Sequence, residues 1–195
     1  VYIAQDQYPD VTFILIDGNP HDADYNYKTA DNCVGITYAE EQVGFLAGYA
    51  AVKDGMTKLG YMGGMAVPAV VKYGYGFVQG AEYAAQELGM ADGSIELMYN
   101  YTGGFDATPE AQNQAASWYN NGTEVIFAAG GAVGNSVMAA AEAAGTKVIG
   151  VDVDQSGESE TVITSAMKGL GTSVYDMIAA YYNGSFPGGE NKVYD

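Results

Sequence analysis

The sequence predicts an α/β protein whose parallel sheets are flanked by helices, and three observations carry that expectation. Short β-branched runs alternate with longer segments of helical period along almost the whole chain. Several runs, such as "VIFAA" and "KVIGV", are continuously apolar, as strands covered on both faces must be. Glycine or aspartate follows most of them, at the end where a parallel sheet turns its carboxyl termini toward a ligand.

In order, "VTFILID" and "VGITY" read as the first two strands, and residues 39–53 as a helix. "KLGYMGG" is the next strand, followed by a helix over 70–88. "SIELMYNY" precedes a helix over 109–121, which Thr108 opens ahead of Pro109 and "NNG" closes. "EVIFAAG" runs into a helix over 134–144 that ends at "AAG". "TKVIGVD" and "TVITSAMK" are the last strands expected, before a helix over 172–183 closed by "YNG". The opening residues "VYIAQDQYPD" read as the inside of a helix and carry neither the charged nor the apolar region of a signal peptide. With no initiator methionine, they are expected to belong to a longer, processed or excised polypeptide.

A chain of 195 residues, 48% apolar, supports one large core or two small ones. Its 24 acidic residues against seven basic ones give a formal charge of −17, which repels nucleic acid and anionic membrane surfaces. Phosphate-rich ligands are disfavoured for the same reason. A neutral small molecule escapes, because local hydrogen bonds outweigh a screened global field. Cys33 is the only cysteine, so neither an internal disulfide nor a cysteine metal cluster can form. His21, the only histidine, lies in "GNPHDADYNYKTADN", read as a solvated polar loop in preference to a metal site. No Ser-His-Asp, Cys-His or His-Glu constellation and no phosphate-binding lysine loop is present, so a binding module is expected, without catalytic residues, metal or cofactor.

The candidate site residues stand at the strand ends. In "EVIFAAGGAVGNS", Ala129, Gly131 and Gly134 occupy the three glycine places of a dinucleotide fingerprint, and Asp152 stands roughly 20 positions on. Asp152 either accepts hydrogen bonds from vicinal hydroxyls, as on a ribose, or caps a turn, and Asp17 has the same two readings. Phe127 either stacks on a flat ring or fills the core. Lys168 donates to a hydroxyl, neutralises Asp152, or is a surface lysine. Gly130 and Gly131 let backbone amides approach a ligand, and Tyr101 and Phe105 flank "TGG" where they would line a cleft.

Taken in order, "VTFILIDG", "VGITYAEEQVGFLAGYAA", "KLGYMGGMAVPAVVKYGYGFVQG", "NYTGGFDA", "VIFAAGGAVG", "VIGVDVDQ" and "ITSAMK" resemble the basic membrane protein family of bacterial substrate-binding lipoproteins, and among them the purine nucleoside receptors of ABC transporters. The resemblance covers essentially the whole chain. It implies a type I periplasmic-binding-protein fold of two α/β lobes with the nucleoside held between them. Residues 1–38 would belong to lobe 1, 39–159 would form lobe 2, and 160–195 would return to lobe 1. The family's amino-terminal strands and helices have no counterpart in these residues, so the part of lobe 1 they hold would be incomplete.

The resemblance also implies roles. Phe127 would stack on the base, Asp152 would accept from the ribose hydroxyls, Gly130 and Gly131 would bring amides to the sugar, and Asp17 and Lys168 would complete the polar rim. The implied partners are a purine nucleoside and ABC permease subunits. The implied location is extracytoplasmic, held to the cell membrane by a lipid on a cysteine outside this chain, since Cys33 is mid-chain. Two rivals stay open: an NAD-dependent oxidoreductase using Gly131, Gly134 and Asp152, and a signalling receptor of the same fold with no transport partner.

Overall fold

A computed structural model of the chain describes residues 1–194. The chain divides into two compact units, Val1–Ala39 with Lys168–Asp195, and Glu40–Met167. The first unit opens with α1 (Ala4–Gln7), β1 (Phe13–Ile16) and β2 (Cys33–Tyr38). The second runs through α2 (Glu40–Lys53), β3 (Lys58–Gly63), α3 (Pro68–Glu87), β4 (Glu96–Tyr101), α4 (Pro109–Asn120), β5 (Val125–Ala129), α5 (Val133–Ala144), β6 (Lys147–Asp152) and β7 (Val162–Met167). The chain then returns to the first unit with α6 (Leu170–Tyr182) and β8 (Asn191–Tyr194).

The second boundary falls eight residues later than the family resemblance implied, at Met167/Lys168 instead of 159/160. The reason is pairing. β7 hydrogen-bonds in parallel along β6, with Val151 opposite Ala166 and Asp152 opposite Met167, so it completes the sheet of the second unit before the chain departs. β8 was not expected from sequence, because its four residues "NKVY" follow a Gly- and Pro-containing stretch and are too few for a clear period.

In the first unit, β1, β2 and β8 form a three-stranded sheet in that order, and both pairs are parallel. Val34, Ile36 and Tyr38 from β2 meet Met177 from α6 in a small core. The buried Tyr38 hydroxyl is hydrogen-bonded to Ser173 Oγ at 2.6 Å. The buried Gln5 side chain of α1 ties the loop before β2 in place, donating to the Lys28 carbonyl and accepting from the Ala30 amide.

The second unit is a doubly wound sheet with strand order β4-β3-β5-β6-β7, every neighbouring pair parallel. Side chains alternate between two cores, as strand geometry requires. Leu59, Tyr61, Val125, Phe127 and Ile149 pack with α2 and α3 on one face. Met62, Ile126, Ala128 and Val148 pack with α4 and α5 on the other. At the crossing of α2 with α3 a methyl group on Gly48 would collide with the Phe77 carbonyl, so only glycine permits that approach. The predicted punctuation is present: Thr108 Oγ1 accepts from the Ala111 amide at 3.1 Å, and Gly122, Gly145 and Gly184 end their helices with positive φ. Among the described residues no helix is long and apolar enough to cross a membrane.

Candidate functional site

All five strands of the second unit run parallel, so their carboxyl ends share one edge. In this strand order the connections reverse direction between β3 and β5, and the crevice at such a switch point is where open α/β sheets bind ligands. The two strand ends that flank it are built of glycine. Gly64 donates its amide to the Ala129 carbonyl, and a Cβ at Gly130 would sit 2.8 Å from the Gly64 nitrogen. Gly131 takes φ of +57° and turns the chain into α5, whose amino terminus presents amides and the positive end of the helix dipole.

The loop after β4 folds over these glycines. Gly103 donates to the Gly64 carbonyl, and Gly103 itself has φ of +86°. The next aromatic, Phe105, lays its ring in the space a side chain at Gly64 would need: a Cβ there would lie 2.5 Å from Phe105 Cδ1. The residue is 37% exposed, so this edge presents an apolar surface to solvent. Sequence reasoning placed Phe105 at a cleft without choosing it as a base-stacking residue. The signal was available, since "TGGF" sets one aromatic among glycines directly after a strand.

Phe127 is a correction. Its ring is 0% exposed and sits inside the face covered by α2 and α3. Tyr61 and Tyr73 meet it edge-on at 5.5 and 5.6 Å, and Phe77 lies at 5.4 Å. Its register on β5 points it at the helices, two residues short of the strand end, so the core reading of this residue holds and the stacking role does not. Around it, burial pushes the Tyr61 hydroxyl far above the usual tyrosine range, and that hydroxyl donates to the Val70 carbonyl.

Asp152 ends β6 in the left-handed region, with φ of +67°. A non-glycine residue seldom adopts this conformation, and such strain gathers at functional sites. The turn is held from behind: Gln155 Oε1 accepts from the Val151 amide at 2.8 Å, and the Gln155 amide donates to Ser165 Oγ at 3.1 Å. On the side of α3, the Tyr73 hydroxyl donates to Asp152 Oδ1 at 3.3 Å. The neighbouring carboxylate of Asp154 is occupied locally, accepting from the Ser156 amide at 3.0 Å, and that hydrogen bond holds its pKa below the usual carboxylate range.

The first unit carries the other two predicted residues and brings them together. Asp17 ends β1 with φ of +64°, matching the conformation of Asp152. Lys168 Nζ lies 2.7 Å from Asp17 Oδ1 and 5.5 Å from the centre of the Tyr38 ring. The lysine side chain is only 4% exposed, so the reading of Lys168 as a surface lysine fails. Asp17 and Asp152 supply two of the three non-glycine positive φ values among the described residues, the third being Tyr25 in the polar loop. In that loop His21 stacks on Tyr25 at 4.7 Å, and Asp22 accepts from the amides of Asp24 and Asn26. Among the described residues no group of three or more His, Cys, Asp or Glu side chains is arranged to hold a metal.

Comparison with known proteins gives this geometry its context. The ABC transporter nucleoside-binding protein BmpA of Lactococcus lactis is 29% identical over 206 residues, covering 96% of this chain and 55% of that protein. Basic membrane protein B of Borreliella burgdorferi is 31% identical over 183 residues, covering 92% of this chain and 51% of that one. The chain thus spans about half the length of these relatives, whose names are those of binding and membrane proteins and not of enzymes. Among solved structures, an ABC transporter solute-binding protein from Aeropyrum pernix superposes with a TM-score of 0.82 at 24% identity, over 98% of this chain and 54% of that one. A transcriptional activator of the comK gene from Bacillus halodurans superposes with a TM-score of 0.77 at 21% identity, over 100% of this chain and 62% of that one. At these identities the two structures establish the fold, the type I periplasmic-binding-protein architecture that the resemblance implied. The family model described as ABC transporter substrate-binding protein, PnrA-like, matches residues 2–195, and the chain belongs to that family.

Proposed function

We propose that the chain is the larger part of the ligand-binding region of an extracytoplasmic ABC-transporter component, and that its ligand is a purine nucleoside. The carboxyl edge of the five-stranded sheet carries the reading: an exposed aromatic residue seated on glycine at the switch point, and a strained strand-end carboxylate on β6 along the same edge. In this reading Phe105, and not Phe127, lies against the base. Asp152 accepts from the ribose hydroxyls, and Gly130 and Gly131 leave room for the sugar to meet backbone amides. Asp17 and Lys168 contribute further polar contacts, with the lysine as donor. The name of the Lactococcus relative supports the nucleoside class. Permease subunits as partners, and a lipid anchor carried outside this chain, belong to the same proposal.

Calorimetry on the full-length protein tests it. Inosine or guanosine is expected to bind at micromolar concentration or tighter, on the order of 8 kcal/mol, and NAD is expected to release no heat. Binding of NAD with no response to either nucleoside would overturn the reading in favour of the dinucleotide alternative. That alternative draws on one feature, the strand-turn-helix context of Gly131 and Gly134 between β5 and α5.

A further inference from the structure

We infer that Tyr73 is a positioning residue for the ligand-binding carboxylate: its buried hydroxyl fixes the orientation in which Asp152 meets the sugar. The inference rests on the nucleoside reading of Asp152 given above. Tyr73 lies on α3, 2% exposed, with its ring edge-on to Phe127 at 5.6 Å, so neither the ring nor its hydroxyl is free to swing. The hydroxyl has one proton and two acceptors, Asp152 Oδ1 at 3.3 Å and the Ala166 carbonyl at 3.2 Å. One contact lies at the end of β6 and the other within β7, so the same oxygen spans the two strands at the edge where the ligand is proposed to sit.

The division of labour follows from what each contact can hold. Gln155 fixes the backbone before Asp152, through the Val151 amide, but leaves the rotation of the carboxylate about its own side-chain bonds unspecified. A diol is recognised by two acceptor oxygens held in a defined plane. A carboxylate that turns freely must surrender that freedom on binding, which lowers affinity. The Tyr73 hydroxyl occupies one lone-pair direction of Oδ1 and thereby biases the plane of the carboxylate. At 3.3 Å, with its one proton shared with the Ala166 carbonyl, the contact is long for a hydroxyl–carboxylate hydrogen bond, which sets its loss at a moderate size. No other tyrosine on α3 can substitute: Tyr75 and Tyr83 are on its exposed side.

The test is a ligand cycle on the full-length protein, with inosine and 2′,3′-dideoxyinosine titrated against wild type, Tyr73→Phe and Asp152→Asn. Tyr73→Phe keeps the ring in the core and removes only the hydroxyl. It is expected to weaken inosine roughly three- to tenfold and to leave the dideoxy analogue, which lacks the diol, within about twofold. Tyr73→Met, which deletes the same hydroxyl with a different apolar side chain, must give the same split. Equal weakening of both ligands would mean that Tyr73 matters only to the fold, and the inference fails. It fails equally if Asp152→Asn weakens inosine while neither Tyr73 variant does. If Asp152→Asn leaves inosine binding intact, the nucleoside reading of Asp152 is itself wrong, and the role of Tyr73 goes with it.

Discussion

Phe105, in the loop after β4, and Phe127, within β5, belong to one sheet and have opposite surroundings. Phe127 is enclosed by Tyr61, Tyr73 and Phe77, in a layer where every residue is determined by several others. Phe105 rests on a floor of glycine, with part of its ring open. The interior of the sheet therefore carries stability, and its carboxyl edge carries the surface available for binding. The two properties reside in different residues, Phe127 inside β5 and Phe105 in the loop after β4. Substitutions that respect this boundary should move one property without the other.

The largest expected effect falls on the interior. Phe127→Ala should destabilise the second unit by about 3–5 kcal/mol, because a cavity the size of a phenyl ring opens among packed aromatics that cannot close on it. Urea unfolding followed by tryptophan fluorescence checks this, since Trp118 is the only tryptophan and lies in the same unit. A loss below about 1 kcal/mol would mean that the ring is not part of the core and would reopen its stacking role. The edge should behave in the converse way. Phe105→Ala should cost roughly 1–3 kcal/mol of nucleoside binding, the usual worth of one base stacked on an aromatic, with folding stability changed by about 0.5 kcal/mol or less. If Phe105→Ala lowers the melting temperature as much as Phe127→Ala does, the boundary between interior and edge is misplaced.

This contrast also separates what the sequence could disclose from what it could not. The alternation of runs, the Thr108 cap and the glycines after three helices predicted the parallel α/β fold because each is a local signal with a local cause. That Asp17 and Asp152 stand at strand ends was legible, because the same signals locate the ends of strands. Their shared left-handed backbone was not legible, since φ depends on the turn that follows and on residues such as Gln155 that hold it. The choice between Phe105 and Phe127 turned on strand register, a property of how β5 faces α2 and α3, and an apolar strand buried on both sides hides its register. The pairing of Lys168 with Asp17 joins positions 151 residues apart, beyond any local pattern. β8 escaped for the opposite reason, being too short to have a pattern at all.

Asp152 sharpens the comparison because it lies on the boundary itself. Asp152→Gly supplies the residue type that the left-handed backbone prefers and removes the carboxylate. The backbone gain is about 1 kcal/mol, set against the loss of the Tyr73 hydrogen bond. The expected outcome is near-unchanged folding stability with ribonucleoside affinity lowered about tenfold. Chemical denaturation and calorimetry on the same preparation measure both. A large loss of stability would assign Asp152 to the interior after all.

The smallest effect is expected in the first unit, where the matching aspartate has a charged neighbour. Lys168→Met removes a buried ammonium but leaves Asp17, whose side chain is 43% exposed, in reach of water. Breaking a fully buried pair strands a charge and is severe, whereas here the surviving carboxylate can be solvated. The methionine stem also retains most of the lysine's apolar packing against Tyr38, at the expense of a contact between cation and ring. The stability loss should therefore be about 1 kcal/mol, at most about a third of that for Phe127→Ala, and high salt should narrow the gap between wild type and variant. A loss of several kcal/mol, insensitive to salt, would mean that Asp17 is held away from solvent and that its strained turn belongs with the interior residues and not with the edge.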